Sequence, residues 1–384
     1  MTPYGSFLYF GLLLYLAVAV LLATLLGVAS RRIIFVATLA MLVVQYGIGD
    51  HGIVASPLRS IARIFAFAAM QWIVAALFLR HRAKRISRVA FYAAVSFASL
   101  PLVIEKFSPG GSAHIVAFMG ISYTTFRALD VVFCIQDKLI TELPPLEYFS
   151  YLMFAPAISA GPIDRYRRFH GDFRQPRDRA QLLTDLDAAV ERFFRGVLYG
   201  FVIAPLIDFY WMQRASAASG LLSVVSYMYA YSLHLFFDFA GYSAFAISVG
   251  YLLGVRMPEN FNRPFLARDI IEFWSRWHIS LSMWLRDHVY GRFVLAAKKG
   301  HWFRDRYVPG YFGSILAFGL MGLWHGTAAH YIVYGLYHAL LNVAHAMIKR
   351  PDSGVKFHLS DNTARVITFH CVCFGFLIFS GRLF

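Results

Sequence analysis

The sequence predicts an all-α, polytopic membrane protein, and three observations carry the prediction. Of its 384 residues, 59% are hydrophobic and 15% are charged, against roughly 45–50% and about 25% in soluble globular chains. Apolar runs with little or no charge recur from end to end, and mean hydropathy is +0.56. The basic residues gather in short stretches between those runs: RHRAKRISR (80–88), RYRRFHGDFRQPRDR (165–179) and KKGHWFRDR (298–306). That distribution is the positive-inside pattern. It accounts for the formal charge of +15 without nucleic acid, and it leaves a cytosolic surface suited to an acidic partner.

Taken in order, the first five runs are Phe7–Ala29, Ile33–Gly49, Ile64–Leu79, Val89–Ile104 and Ile115–Asp130. The next five are Gly196–Ile207, Leu221–Phe237, Tyr311–Trp324, Ala328–Met347 and Val366–Ser380. Those of roughly 18 residues or more are long enough to cross a bilayer as helices, and shorter ones suit tilted, re-entrant or interfacial segments. About ten or eleven spans are expected on hydropathy. Met1–Leu26 lacks a basic n-region and is too long for a signal h-region of ~7–15 residues. With Arg31 and Arg32 following, it reads as a first span with its N-terminus outside. No internal repeat or low-complexity linker divides the chain, so 1–384 reads as a single integral membrane domain.

Three interruptions need their own account. MFAPAISAG (153–161) is short and holds Pro156 and Gly161. It fits a re-entrant or broken segment, tolerated where protein buries its backbone. Residues 164–192 form a polar connection whose second half has apolar residues at helical spacing, as in an amphipathic helix on the cytosolic face. Residues 257–306 carry charges too often for a lipid-facing span and are rich in Trp and Arg. Short interfacial helices at the membrane–water boundary are expected there.

Most catalytic signatures are missing. There is no HExxH, no GxSxG elbow and no P-loop. GIGDHG (47–52) matches GxGxxG, but it follows a probable membrane segment where a dinucleotide fold needs a strand. No histidine is followed five residues on by aspartate. Cys134, Cys371 and Cys373 sit in apolar segments at spacings that fit neither zinc nor disulfides, so no metal is expected.

What remains is polar residues at membrane depth, which are functional candidates by default. Asp238 and Tyr242, four apart, share a helical face and fit either a functional pair or helix-to-helix glue. His338 and His345 suit packing or hydrogen bonding between helices. His325 stands in GLMGLWHG (319–326), where Gly319, Gly322 and Gly326 either permit close helix approach or leave room for a ligand. His278, in FWSRWHIS, is open to a structural or a chemical role.

The two histidines together, with the motifs around them, resemble the membrane-bound O-acyltransferase family and its D-alanyl transfer (DltB-type) branch. The blocks are GISYTTFRALD (120–130), SAGPIDRYRRF (159–169), LFFDFAGYSAFAISVGYLLG (235–254), NFNRPFLARDIIEFWSRWHISLSMWLRDHVY (260–290) and GLWHG (322–326). They follow the family's order and cover about 118–345. Before 118 the likeness is mainly hydropathy.

The resemblance implies an acyltransferase of the bacterial inner membrane. It would take a D-alanyl group from the phosphopantetheine thioester of a small acidic cytosolic carrier protein. Delivery would be to a hydroxyl acceptor of an envelope polymer of the teichoic acid type. An exported acyl-relay protein and a small membrane peptide are possible further partners, with membrane lipid around the chain and no bound cofactor of its own. His325 matches the family's active-site histidine and His278 the second. Asn260, Trp277, Arg286, Asp287, Asp238 and Trp324 are candidates for the substrate-binding wall. Gly291–Arg306 aligns with the carrier-docking part, where Arg292, Phe293, Val294, Lys298 and Lys299 mix apolar and basic character.

The chemistry is coherent with that implication. A thioester is already activated, so no covalent nucleophile is required. The demanding step is removing a proton from a weakly acidic hydroxyl, which a desolvated, neutral histidine does well. His325 is the expected base, and His278 the residue that orients or polarises the thioester. Two rivals stand beside this reading. One is O-acetyl transfer to an exopolysaccharide. The other is a transporter with a histidine proton relay, against which no paired inverted halves are visible.

Overall fold

A computed structural model of the chain describes residues 4–5, 7–49, 52–53, 57–107, 118–352 and 359–384. Two expectations fall partly outside them: positions 115–117 of the Ile115–Asp130 run, and positions 50–51 at the centre of GIGDHG. Among the described residues the regular structure is helical, apart from a two-residue pairing of Ile48–Gly49 with Gly52–Ile53.

The first helices are α1 (Phe7–Leu25), α2 (Ser30–Gly47), α3 (Pro57–Lys84) and α4 (Arg88–Phe107). Next come α5 (Ile121–Gln136), α6 (Pro145–Leu152), α7 (Tyr166–Arg174), α8 (Arg179–Ala217) and α9 (Leu221–Leu253). The last are α10 (Ile270–Trp274), α11 (Ile279–Leu285), α12 (Gly291–Lys299), α13 (Val308–His325), α14 (Ala329–Ile348) and α15 (Asp361–Phe379). Eight of the described helices, α1–α4, α8, α9, α14 and α15, are long and apolar enough to cross a membrane. The chain is therefore a multi-pass membrane protein. The two remaining apolar runs became α5 and α13. With 16 residues, α5 spans about 24 Å, short of a hydrocarbon core about 30 Å thick. In α13 the glycines, Trp324 and His325 dilute the apolar character.

The described chain groups into two compact units: Met1–Gly196 with Tyr242–Pro258, and Val197–Gly241 with Glu259–Phe384. In the first unit α1 exposes Leu14, Tyr15, Leu22 and Leu25, as a helix bathed in lipid does. By contrast α5 is buried almost throughout, and against it lies the broken segment foreseen at 153–161. Residues 153–158 are buried with only one 3₁₀ turn, Ala155–Ala157. Its carbonyls are met by side chains. The Arg127 guanidinium donates to the carbonyls of Leu152 (3.2 Å), Phe154 (3.5 Å) and Ala157 (2.6 Å). Gln45 donates to Ala155 and Tyr4 to Pro156.

The polar connection at 164–192 became α7 and the start of α8. The Asp178 carboxylate caps α8 by accepting from the Gln181 amide at 2.7 Å, as an N-cap side chain does. The helix runs on past residue 192 to Ala217, with π-helical stretches at Val197–Ile203 and Asp208–Met212.

In the second unit, residues 257–306 form short helices as expected: a 3₁₀ turn at Pro264–Leu266, α10, α11, a π-helical turn at Arg286–Tyr290, and α12. The tryptophans differ from a boundary belt. Trp274, Trp277 and Trp284 are all buried, packed ring against ring, with Trp277 4.6 Å from Phe376 and 5.1 Å from Phe261 between centroids. Aromatic faces that find other aromatics in a protein core have no need of the interface. Only Trp302, in the loop after α12, is largely exposed among the tryptophans of this stretch.

Candidate active site

His278 is set by its backbone. It occupies the left-handed region (φ 42°, ψ 52°), four residues past the end of α10, and opens α11. That conformation costs an ordinary L-residue roughly 1–2 kcal/mol, and such strain concentrates at working sites. Asn260 holds the turn in place. Its carbonyl accepts the Ile279 amide at 2.9 Å, and its Oδ1 accepts the Ser280 hydroxyl at 2.6 Å. The His278 side chain is buried against Phe239, with ring centroids 4.8 Å apart. Burial pushes its imidazole down to about 4, so it is neutral at physiological pH.

His325 is the last residue of α13 and is half-buried. The glycines around it resolve into different roles. A Cβ on Gly322 would come within 2.5 Å of the Tyr331 carbonyl, and one on Gly335 within 2.5 Å of the Phe318 carbonyl. Gly322 and Gly335 thus let α13 and α14 touch backbone to backbone. Gly326 lies under the Tyr331 ring, and Gly319 faces open space. The imidazole itself is ringed by Phe379 (4.9 Å), Tyr331 (6.1 Å) and Tyr334 (6.2 Å).

Trp324 stands between the two histidines. Its ring lies 4.5 Å from that of His325 and 6.4 Å from that of His278, edge-on to the latter. Two histidines 47 positions apart in the chain are thus gathered around one indole. The same unit holds a cavity of about 620 Å³ whose described lining includes neither histidine nor Trp324; its volume is within the range of small-molecule sites. Ile279, adjacent to His278, lines it, as does Met321, one helical turn before His325 on the same face of α13. Arg286, Lys298 and Arg306 also line it, and no carboxylate is among its described lining residues.

The other sequence candidates fall into four groups. Asn260 and Trp277 are buried and structural in their contacts. Arg286 pairs with Asp287 at 2.9 Å, with both side chains well exposed. On α12, Val294 and Lys298 line the cavity, Lys299 is exposed beside them, and Phe293 packs on Trp302 at 5.8 Å. Arg292, on the same helix, is half-buried. Asp238 is exposed on α9 and makes no hydrogen bond or ion pair among the described residues. Tyr242, its expected companion, belongs to the first unit, bonded to Ser159.

His338 is fully enclosed by Trp274, Tyr334 and Tyr337, and His345 approaches Asp269 at 3.9 Å. Both sit between helices. Sequence reasoning missed Phe239 and Phe379, which frame the two imidazoles, because both lie in plain apolar runs. Met321 carried a usable signal, its four-residue spacing from His325. Among the described residues no group of three His, Cys, Asp or Glu side chains is placed to hold a metal.

A model of the membrane-bound O-acyltransferase family matches residues 110–383. The chain is 38% identical to the teichoic acid D-alanyltransferase of Bacillus subtilis, over 100% of this chain and 99% of that protein. It is 33% identical to the enzyme of the same name from Streptococcus thermophilus, over 99% of this chain and 95% of that one. It is also 31% identical to a probable alginate O-acetylase of Pseudomonas aeruginosa, over 76% of this chain but 54% of the relative. The likeness to the D-alanyltransferases therefore includes the first 117 residues, where the motifs alone were silent. The histidine pair, the fold and these matches agree that the chain belongs to the membrane-bound O-acyltransferase family and is an acyltransferase.

Proposed function

We propose that this acyltransferase moves a D-alanyl group from a carrier-bound phosphopantetheine thioester to a hydroxyl acceptor used in teichoic-acid-type D-alanylation. The reaction would take place in the bacterial cytoplasmic membrane. A cavity of basic and apolar lining, in the unit that holds both histidines, carries the reading. Its cationic lining of Arg286, Lys298 and Arg306 suits the phosphate of a pantetheine arm and an acidic carrier behind it. Its apolar lining includes Ile279, which follows His278 in the chain, and Met321, one helical turn before His325. Full-length likeness to two teichoic acid D-alanyltransferases supports the acyl group and the acceptor class.

In this reading α12 receives the carrier, with Val294 and Phe293 supplying apolar contact and Lys298, Lys299 and Arg292 opposite charge. The arm is the donor substrate; the chain needs no cofactor of its own. An imidazole nitrogen of His325 takes the acceptor's hydroxyl proton as the oxygen attacks the thioester carbonyl carbon. The carbon–sulfur bond then breaks, and the arm's sulfur leaves with a proton returned from His325. His278, neutral and held by its backbone, donates to the carbonyl oxygen. An exported relay protein and a small membrane peptide would act after or beside this step. Positioning in a water-poor passage adds rate and protects the thioester from hydrolysis.

Likeness to the alginate O-acetylase favours acetyl transfer as a second reading. One experiment addresses both: purified protein is incubated with D-alanyl-loaded or acetyl-loaded carrier, wild type beside His325→Ala, following thioester loss and acylated acceptor. Turnover of D-alanyl carrier alone, abolished in the variant, is expected. Turnover of acetyl carrier alone rejects the first reading, and unchanged transfer by the variant rejects His325 as the base.

A further inference from the structure

The first unit holds a second cavity, of about 530 Å³, that the transfer reaction leaves unexplained. Three element ends meet there: the start of α2 (Ser30, Arg31), the start of α6 (Leu146, Glu147) and the end of α7 with its exit (Phe173–Pro176). Ser30 is where a candidate membrane span begins, so the cavity sits at the level where a bilayer meets water. The basic residues around it place that level on the cytosolic side.

Its charges are unequally committed. Glu147 is buried and fully engaged: it accepts from the Tyr166 hydroxyl at 2.8 Å and from Arg174 Nε at 2.9 Å, and meets His170 Nδ1 at 2.5 Å. Arg174 also reaches Glu142 at 2.9 Å. Arg31 is exposed, lines the cavity, and has no hydrogen bond or ion pair among the described residues. The N-terminal end of the 18-residue α2 adds positive potential to the same spot. Leu146, Phe173 and Pro176 give the cavity an apolar side. A ligand that satisfies this combination is anionic at one end, apolar at the other, and resident at the membrane surface.

We propose that this cavity binds the phosphate headgroup of an anionic glycerophospholipid, with Arg31 as its principal charge partner. Basic pockets at cytosolic helix ends take lipid headgroups in this way. The glycerol and first methylenes then lie along Leu146 and Phe173. The site belongs to the first unit and is independent of the transfer reading.

The test uses the full-length protein in mild detergent, equilibrated with equal amounts of phosphatidylglycerol and phosphatidylcholine, with bound lipid counted by native mass spectrometry. Wild type should retain phosphatidylglycerol in preference. Arg31→Ala should lower its occupancy about fivefold, what one basic residue beside an anionic lipid surface contributes, and Arg31→Glu should abolish the preference. Arg32→Ala is the control: Arg32 is exposed on the same turn but does not line the cavity, and its variant should behave as wild type. Arg31 is exposed, so its variants should keep the wild-type melting temperature. Equal retention of both lipids by wild type overturns the proposal. So does an unchanged preference in Arg31→Glu, or displacement of the lipid by millimolar inorganic phosphate, which would mark a free-anion site.

Discussion

The two units differ in the ionisable side chains they bury: carboxylates and an arginine in the first, histidines in the second. In the first, charges are matched to charges. Asp130 pairs with Arg165 at 2.7 Å, Asp164 with Arg168, Arg168 with Asp172 at 2.6 Å, and Glu147 with Arg174 at 2.9 Å. In the second unit the two central histidines are surrounded by rings: Phe239, Trp324, Tyr331 and Phe379. Matched buried ions hold a fold and resist change, because removing one partner strands the other. Burial among aromatic faces keeps the His278 imidazole neutral, and a neutral imidazole can accept a proton. The motif GPIDRYRRF is thus as much a signature as GLWHG, but it is a signature of architecture.

The sharpest way to break this contrast is His325→Ala. General-base assistance is worth about 10²–10⁴ in rate, so D-alanyl transfer should fall by that factor. The melting temperature should hardly move, since the side chain is only half-buried. Single-turnover rates beside thermal unfolding in detergent would check both. A large loss of stability with intact transfer per folded molecule would place His325 with the structural ions.

Arg127→Met is the mirror experiment. The guanidinium is buried and donates to the Leu152 carbonyl at the end of α6 and to two carbonyls of the broken segment. A buried carbonyl left without its donor costs about 1–3 kcal/mol. The variant should express poorly and unfold at lower temperature, while the surviving folded fraction transfers normally. A well-folded but inactive Arg127→Met would move catalytic importance into the first unit.

Carrier capture should respond more mildly. Lys298 lines the cavity from α12 with no carboxylate among the described lining residues. Lys298→Glu should raise KM for loaded carrier about fivefold to tenfold, and added salt should shrink the difference. The rate at saturating carrier should stay close to wild type. An effect on that rate alone would make Lys298 part of the chemical step.

The comparison also explains what the sequence could and could not reveal. Each of the ten apolar runs announced a helix, because hydrocarbon demands that every backbone group be satisfied within the segment. Pro156 and Gly161 announced the broken segment for the same reason. The histidine pair was legible because ionisable residues are rare at membrane depth. Trp277 was misleading: indoles suit both a boundary and a packed core, and composition does not choose between them. The glycines near His325 were ambiguous until Gly335 supplied the facing backbone for Gly322. Phe239 and Phe379 left no trace among other apolar residues, and a framing role of that sort exists only in three dimensions.

The smallest effect expected concerns pH. Burial holds the folded His278 imidazole at about 4, below its ordinary 6.5. The unfolded chain therefore binds a proton that the folded chain refuses. The associated stability is fully present above pH 6.5 and declines as pH falls toward 4. Between pH 7 and 8 His278 should contribute no slope to either stability or transfer rate. Thermal unfolding of wild type and His278→Asn across pH 5–8 isolates this contribution: the wild type should lose stability toward pH 5 more steeply than the variant. Parallel curves would mean that His278 takes up its proton alike in the folded and unfolded chain. Burial would then not govern its charge, and the contrast between matched charges in one unit and a neutral imidazole in the other would have to be redrawn.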